Sequence, residues 1–452
     1  MRLFSHTQSR CQDCNAPVQA KIIERDGAVW MDKFCPSHGH QTVMVSSDPA
    51  WYEASLSYVK PRQRPLAIQA KEFKGCPDSC GMCSEHRQHT CLPVIEILQA
   101  CDMECPVCLK GGMTIPRMDL TGFSRVLDTL FEAEGTLPVV NLSGGEPTLH
   151  PELGQFLSLA RERGVVQTTV STNGLRLLRD TELRRIFKET GALVALQFDG
   201  FRESTNITLR GREMTRERLE LVSLLESEGI PWSMVATVAR GTNLDEIPQL
   251  VDFLFESRAQ SLMLQPLCFT GNAATWDEAT HRLTIPDVVR ACETSRFVAP
   301  GDFNPLPCSH ASCFALSYHL RAQEGEWASL KRFLGEENFL QLVANKTLPG
   351  LDSEGLSLMK ARLYELWSAA DSSDLDRNVM ERIRKLLREL PAASQDPRAL
   401  LSLGMDSMKA IFVHDFMDVR TFDVGRLMKC CNPYAKADGT LVPMCAENVI
   451  RC

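Results

Sequence analysis

Cys101, Cys105 and Cys108 form a C-x3-C-x2-C loop directly after an apolar run at 92–98. Three thiolates on one short loop can ligate three irons of a cubane and leave the fourth iron open, because a full protein set is four cysteines. An open iron can chelate a small molecule. The competing reading is a zinc loop that awaits a fourth cysteine. Ser143-Gly144-Gly145-Glu146-Pro147 follows the next apolar run. Two glycines let the backbone approach a ligand closely, and their carbonyls with the Glu146 carboxylate can receive an ammonium group. A lone GGE is weak, but here it lies one strand and one helix beyond the cysteine loop. Ser171 and Asn173 in STNG, Gln197 and Asp199 in LQFDG, and Arg210 in LRG follow later apolar runs, at positions able to hold the same ligand or a substrate. Each of these alone also reads as a surface turn or helix cap. Arg240 and Gln265 rank lower, and His150 reads as the start of a helix rather than a base.

Three further groups have the spacing of metal ligands. Cys11-x2-Cys14 and, twenty residues on, Cys35-x2-His38 have the spacing of a zinc ribbon, a closed tetrahedral site with no room for substrate. Zinc is favoured there, with rubredoxin-like mononuclear iron and His40 as alternative metal and ligand. Cys76, Cys80, Cys83 and Cys91 lie within sixteen residues, which suits an auxiliary [4Fe-4S] centre with no open iron, or zinc held by the same four thiolates. His86 and His89 between them read as polar surface residues. A last group joins distant segments: Cys308 and Cys313 in PCSHASC, one of Cys430 and Cys431, and Cys445. With Cys431 preferred, these four could hold a second auxiliary [4Fe-4S] centre. Cys268, Cys292 and Cys452 are read as non-ligands, the first two as small hydrophobes.

The composition agrees with a metal protein. The chain has 18 cysteines in 452 residues, far more chain than a small disulfide scaffold has. A formal charge of -8 leaves no basic excess for phosphates, so no nucleic-acid partner is expected. A small-molecule or lipid substrate is. There is no run of 18 apolar residues and no apolar leader-like segment, so neither a membrane span nor export is expected, and the setting is read as cytoplasmic.

The elements that must position these groups are legible as alternation. Apolar runs at 92–98, 137–145, 165–172, 192–200, 232–239 and 261–267 alternate with amphipathic stretches. Runs spaced by helices predict a parallel sheet with right-handed crossovers, whose ligands gather at the C-terminal strand ends. The expected division is a metal module at 1–60, an auxiliary knuckle at 61–95, the α/β unit at 96–295 and a C-terminal auxiliary-cluster domain at 296–452. Residues 314–405 read as mostly helical, and the remainder as short strands and loops.

The cysteine loop followed by GGE resembles the radical S-adenosylmethionine (SAM) superfamily. That resemblance implies a partial (β/α)6 barrel and a [4Fe-4S] cluster that binds SAM through its amino and carboxylate groups. It also implies reductive cleavage of SAM to a 5′-deoxyadenosyl radical that attacks a C–H bond, with an electron donor such as ferredoxin or flavodoxin. The wider layout, from the ribbon through LQFDG and PCSH-x2-C to HDFMDVRTFD and DGTLVPMC, resembles the subgroup of archaeal tetraether lipid synthases and radical SAM pterin methyltransferases. The activities implied are C–C coupling of lipid termini or methylation of a pterin carbon. Members of that subgroup have T-G-R after the sixth strand, where this chain has Thr270-Gly271-Asn272, which puts one ligand contact in doubt. The rival readings are aminocarboxypropyl transfer from SAM and a non-catalytic iron-sulfur carrier.

Overall fold

The computed structural model describes residues 1–58, 63–68, 75–78, 81–111, 113, 116–323, 325–346, 348, 355, 357–358, 361, 378–382, 384–385, 398, 401 and 407–450. The N-terminal strands β1 (Arg2–Arg10), β2 (Pro17–Arg25), β3 (Ala28–Cys35) and β4 (Gly39–Ser46) form an antiparallel sheet in sequential order. Its alternating residues Ala20, Ile22, Val29, Met31 and Val43 pack on Tyr52 of the helix Pro49–Ser57 and on Ala311.

All six apolar runs form strands: β5 (Val94–Leu98), β6 (Val139–Gly144), β7 (Gln167–Thr172), β8 (Leu193–Gln197), β9 (Trp232–Val238) and β10 (Ser261–Pro266). They pair in parallel and in sequence order. The first crossover shows how sequence fixes this layer. Helix Leu120–Glu134 opens on Asp119, whose carboxylate accepts the Gly122 N–H at 2.7 Å, and closes at Gly135 with φ 74°. Between these caps Phe123, Val126, Leu127 and Leu130 recur at helical spacing and are fully buried. Each such side chain contributes roughly 1.5–3 kcal/mol on leaving water.

The same sheet continues beyond the six strands. Strands β11 (Asn304–Pro305), β12 (Phe314–Gln323) and β13 (Glu326–Ser329) are followed by β14 (Met408–His414), which runs parallel to β10 and antiparallel to β12. At the opposite edge β15 (Pro433–Ala435) runs parallel to β5, and β16 (Leu441–Pro443) pairs with β15. The expectation of helix from residue 314 is therefore wrong for 314–323. FALSYHLRAQ is locally compatible with helix, but it lies between β11, β13 and β14, and pairing outweighs propensity. Helices Leu330–Leu334 and Glu336–Val343 follow as the sequence suggested. Among the described residues, no helix is long and apolar enough to cross a membrane.

Candidate active site and metal centres

The C-terminal ends of β5–β10 and β14 share one rim, and the cysteine loop leaves that rim after β5. The glycines of the GGE segment are needed there for a reason the sequence did not reveal. A Cβ on Gly144 would collide with the carbonyl of Leu98, and one on Gly145 with those of Gln99 and Ala100. The close approach is thus to the root of the cysteine loop. Gly145 N–H donates to Leu98 O and Glu146 N–H to Ala100 O, both at 2.8 Å.

Glu146 is 1% exposed. Its Oε1 accepts the Thr148 N–H, the Thr148 hydroxyl at 2.6 Å and the Thr172 hydroxyl at 2.7 Å, and Oε2 accepts the Asn173 N–H at 2.8 Å. Burial pushes this carboxyl up, and those hydrogen bonds pull against it. Oε2 keeps acceptor capacity for an ammonium group. Asn173 also donates through Nδ2 to Asp102 at 2.6 Å, beside Cys101 in the loop. His150 bonds Met118 O through Nε2 and accepts Glu152 N–H at Nδ1, just before helix Leu153–Glu162.

Asp199 is fully buried and grips Arg210, with Nε at 2.8 Å and Nη2 at 2.7 Å. It also accepts the Thr237 N–H at 2.9 Å, and Arg218 Nη2 lies 3.5 Å away. The Gln197 side-chain amide abuts the Arg210 guanidinium, and its Oε1 accepts from Arg218 Nη2 at 3.4 Å. Two guanidiniums thus share one carboxylate, and burial lowers Arg218 to about 10. Burial raises the Cys105 thiol, and the Arg210 guanidinium acts in the opposite direction. Ser171 donates its hydroxyl to Asn141 Oδ1 at 3.1 Å. Arg240 pairs with Asp287 at 3.4 Å and so belongs to the outer helix layer.

Asn272 is a residue the sequence reading underused. Its N–H donates to Cys108 O at 3.0 Å and its Nδ2 to Cys105 O at 2.9 Å. Where the subgroup pattern has an arginine, this chain places an amide that braces the cysteine loop. The loop is held from its other side by Lys110, which pairs with Glu96 at 2.7 Å and lies 3.7 Å from the Tyr434 ring centroid. Lys436 joins Glu96 at 3.3 Å to Glu447 at 2.6 Å. Glu447 lies on the C-terminal helix Met444–Ile450, which packs with Val94, Cys268, Phe416 and Met417.

In the ribbon, Cys11, Cys14, Cys35 and His38 present ligand atoms all within 4.8 Å of one another. Cys14 and Cys35 sulfurs are 3.9 Å apart, and His38 Nδ1 is 3.5 Å from the sulfurs of both Cys11 and Cys35. A tetrahedral zinc with Zn–S near 2.3 Å sets sulfurs about 3.8 Å apart, so the four residues fit the ion. Burial works against the Cys11 thiolate, yet donors from Cys14, Asp13 and Gln41 lower that thiol to about 6. His40 instead pairs with Asp32. Cys14→Ser should release the ribbon's metal and lower the melting temperature, because structural zinc supplies on the order of 10 kcal/mol of folding energy. Metal analysis and thermal melts check this. A variant as stable as the wild type but catalytically dead would overturn the structural role.

The remaining cysteines are grouped differently from their spacing. The Cys91 sulfur lies 3.6 Å from His89 Nε2, and the neighbouring thiols of Cys308 and Cys431 raise its thiol well above the usual range. Its backbone N–H donates to Cys431 O at 2.8 Å, and Gln88 Nε2 donates to Cys308 O at 2.9 Å. Cys76 and Cys83 remain electrostatic neighbours, and Cys80 lies outside the described residues. The adjacent pair diverges: Cys431 turns to Cys91, whereas the Cys430 thiol feels Cys445 most, then Cys431 and Cys313. Cys313 lies near Cys431 and Cys445. His86 and His89 are not surface residues of a polar loop. His86 is 4% exposed and bonds Cys430 O at 2.8 Å, and His89 pairs with Glu134 at 3.2 Å. Cys268 and Cys292 are buried among apolar neighbours.

Residues 73–254 match the model of the radical SAM superfamily, and residues 3–47 match that of the HMPTM N-terminal zinc ribbon domain. Residues 73–254 form a radical SAM domain. The chain is 26% identical over 476 aligned residues to the 7,8-dihydro-6-hydroxymethylpterin dimethyltransferase of Methanocaldococcus jannaschii, a match covering 98% of this chain and 93% of that protein. The Fe-coproporphyrin III synthase of Methanosarcina barkeri is 32% identical over 189 residues, 40% of this chain and 46% of that protein. Streptococcus suis SuiB bound to precursor peptide SuiA aligns over 63% of this chain and 68% of its own, with 13% identity and a TM-score of 0.40.

Proposed function

We propose that this enzyme methylates, or couples through a new C–C bond, a ring carbon of a small pterin-like heterocycle. The observation that carries this reading is the match along 98% of the chain, ribbon included, to a dihydropterin dimethyltransferase. The barrel interior supports a polar substrate over a lipid chain. On β6 and β7 the inward, half-buried positions are Asn141, Ser143, Thr169 and Ser171, whereas Val140, Leu142 and Val170 turn outward into the core.

Cys101, Cys105 and Cys108 would hold a [4Fe-4S] cluster, and Glu146 with the Gly144 and Gly145 carbonyls would receive the SAM ammonium. When bound, that pair supplies a 5′-deoxyadenosyl radical by one-electron cleavage of SAM. Ser171, Asn173, Gln197, Asp199 and Arg210 line the same rim, where Asp199 fixes the direction of the Arg210 guanidinium. The C-terminal helix and its Lys436–Glu447 pair shield the site from water. Two auxiliary [4Fe-4S] centres complete the set, one on Cys76, Cys80 and Cys83, the other joining Cys91 to Cys308 and Cys431, with Cys313 and Cys445 beside them. A ferredoxin or flavodoxin in the cytoplasm would supply electrons.

The test is product analysis of anaerobically reconstituted, reduced enzyme with 6-hydroxymethyl-7,8-dihydropterin, excess SAM and a folate-type one-carbon donor, so that the added carbon comes from the folate or from a second SAM. The expected products are 5′-deoxyadenosine and a pterin enlarged at a ring carbon. Methylthioadenosine in place of deoxyadenosine would replace this reading with aminocarboxypropyl transfer. Release of neither nucleoside would overturn catalysis at this site.

A further inference from the structure

Thr172 lies between Ser171 and Asn173 in the STNG segment, and no part of the cysteine loop accounts for its side chain. It is the last residue of β7 and is 5% exposed. Its hydroxyl meets two partners of fixed character. The Gly174 N–H can only donate, so the Thr172 oxygen accepts it, at 3.0 Å. An ionised carboxylate can only accept, so the Thr172 hydroxyl donates to Glu146 Oε1, at 2.7 Å. The direction of this hydroxyl is therefore set from both sides.

The consequence falls on Glu146. Its Oε1 takes three donors: the Thr148 N–H at 3.1 Å, the Thr148 hydroxyl at 2.6 Å and the Thr172 hydroxyl. Its Oε2 takes the Asn173 N–H at 2.8 Å, and a carboxylate oxygen has two lone pairs. The two Thr148 donors belong to the short turn Pro147–Leu149 that Glu146 itself caps, so they move with the carboxylate. The Thr172 hydroxyl and the Asn173 N–H come from the end of the neighbouring strand instead. Of these two, only the hydroxyl is a side chain. Burial also favours the neutral form of this carboxyl, and each donor opposes that.

We infer that Thr172 is a positioning residue for ligand binding: it pins Oε1 of Glu146 to the end of β7 and so leaves Oε2 to accept the ammonium group of SAM. This rests on the reading of Glu146 as the acceptor of that ammonium and adds the side chain that aims it.

The experiment measures dissociation constants of anaerobically reconstituted holoenzyme for two ligands. One is SAM, and the other is its desamino counterpart, which keeps the carboxylate and the sulfonium but has no ammonium. Wild type should bind SAM more tightly. Thr172→Val keeps the shape and removes the hydroxyl. It should weaken SAM at least about tenfold, the size of one hydrogen bond to a charged group, and leave the desamino ligand nearly unchanged. Thr172→Ser keeps the hydroxyl and should bind both ligands as wild type does. Thr172→Ala removes the same hydroxyl with less bulk and gives the same comparison should the valine disturb the fold. Equal weakening of both ligands in the variants without the hydroxyl, as a general loosening at Gly174 would produce, or no weakening at all, would overturn the inference while leaving Glu146 as the acceptor. Equal binding of the two ligands by wild type would overturn the Glu146 assignment and this inference with it.

Discussion

Cys105→Ala is expected to abolish the release of 5′-deoxyadenosine from SAM by the reduced, anaerobically reconstituted enzyme. The three cysteines on the loop leave no spare thiolate, so losing one leaves two protein ligands for a cubane that needs at least three. The variant should nevertheless fold. The contacts that shape the loop use Cys105 through its backbone: its carbonyl accepts the Cys108 N–H at 3.1 Å and the Asn272 amide at 2.9 Å. Alanine keeps both. The GGE segment grips the loop through the Leu98 and Ala100 carbonyls, which the substitution also leaves in place. Loss of chemistry with retention of fold is therefore the expected signature, read by chromatography of the nucleoside beside a thermal melt. Deoxyadenosine release at the wild-type rate would sink the assignment of this loop.

The frame of the enzyme was legible because its signals are local. β5–β10 are covered by helices on one face and by the barrel contents on the other, so they read as apolar runs whatever their partners are. The ribbon was legible because its four ligands come from two knuckles at one end of a small sheet. What escaped depends on which distant segments meet. Residues 314–323 become a strand only because β14, some ninety residues later, lies beside them. The GGE glycines were read as making room for a ligand, and they make room for the carbonyls of residues 98–100. Asn272 looked like a missing arginine and is a brace for the cysteine loop.

Cys91 is the sharpest case of distance overriding spacing, and it yields the second large effect. By sequence it closes the knuckle of Cys76, Cys80 and Cys83. In the structure the chain at 87–92 runs alongside 428–431, with Arg87 N–H on Met428 O at 2.7 Å and the N–H groups of Cys91 and Leu92 both on Cys431 O. That pairing carries the Cys91 thiol to Cys308 and Cys431. If those three serve one centre, Cys91→Ala and Cys431→Ala should each remove about four irons per chain, the content of one cubane. The double variant Cys91→Ala/Cys431→Ala should then also lose about four, because the second change removes a ligand from a centre already gone. Two residues serving separate centres would instead behave additively, and the double variant would lose about eight. Iron counting against protein concentration separates four from eight without any assay of turnover, and Mössbauer spectra show whether the loop cluster survives in each variant. Cys430→Ala is the matched control, since its thiol donates to Asn432 O at 3.4 Å. It should keep the four irons that Cys431→Ala loses. Additive loss in the double variant would return Cys91 to the knuckle and leave the split centre to Cys308, Cys313, Cys431 and Cys445.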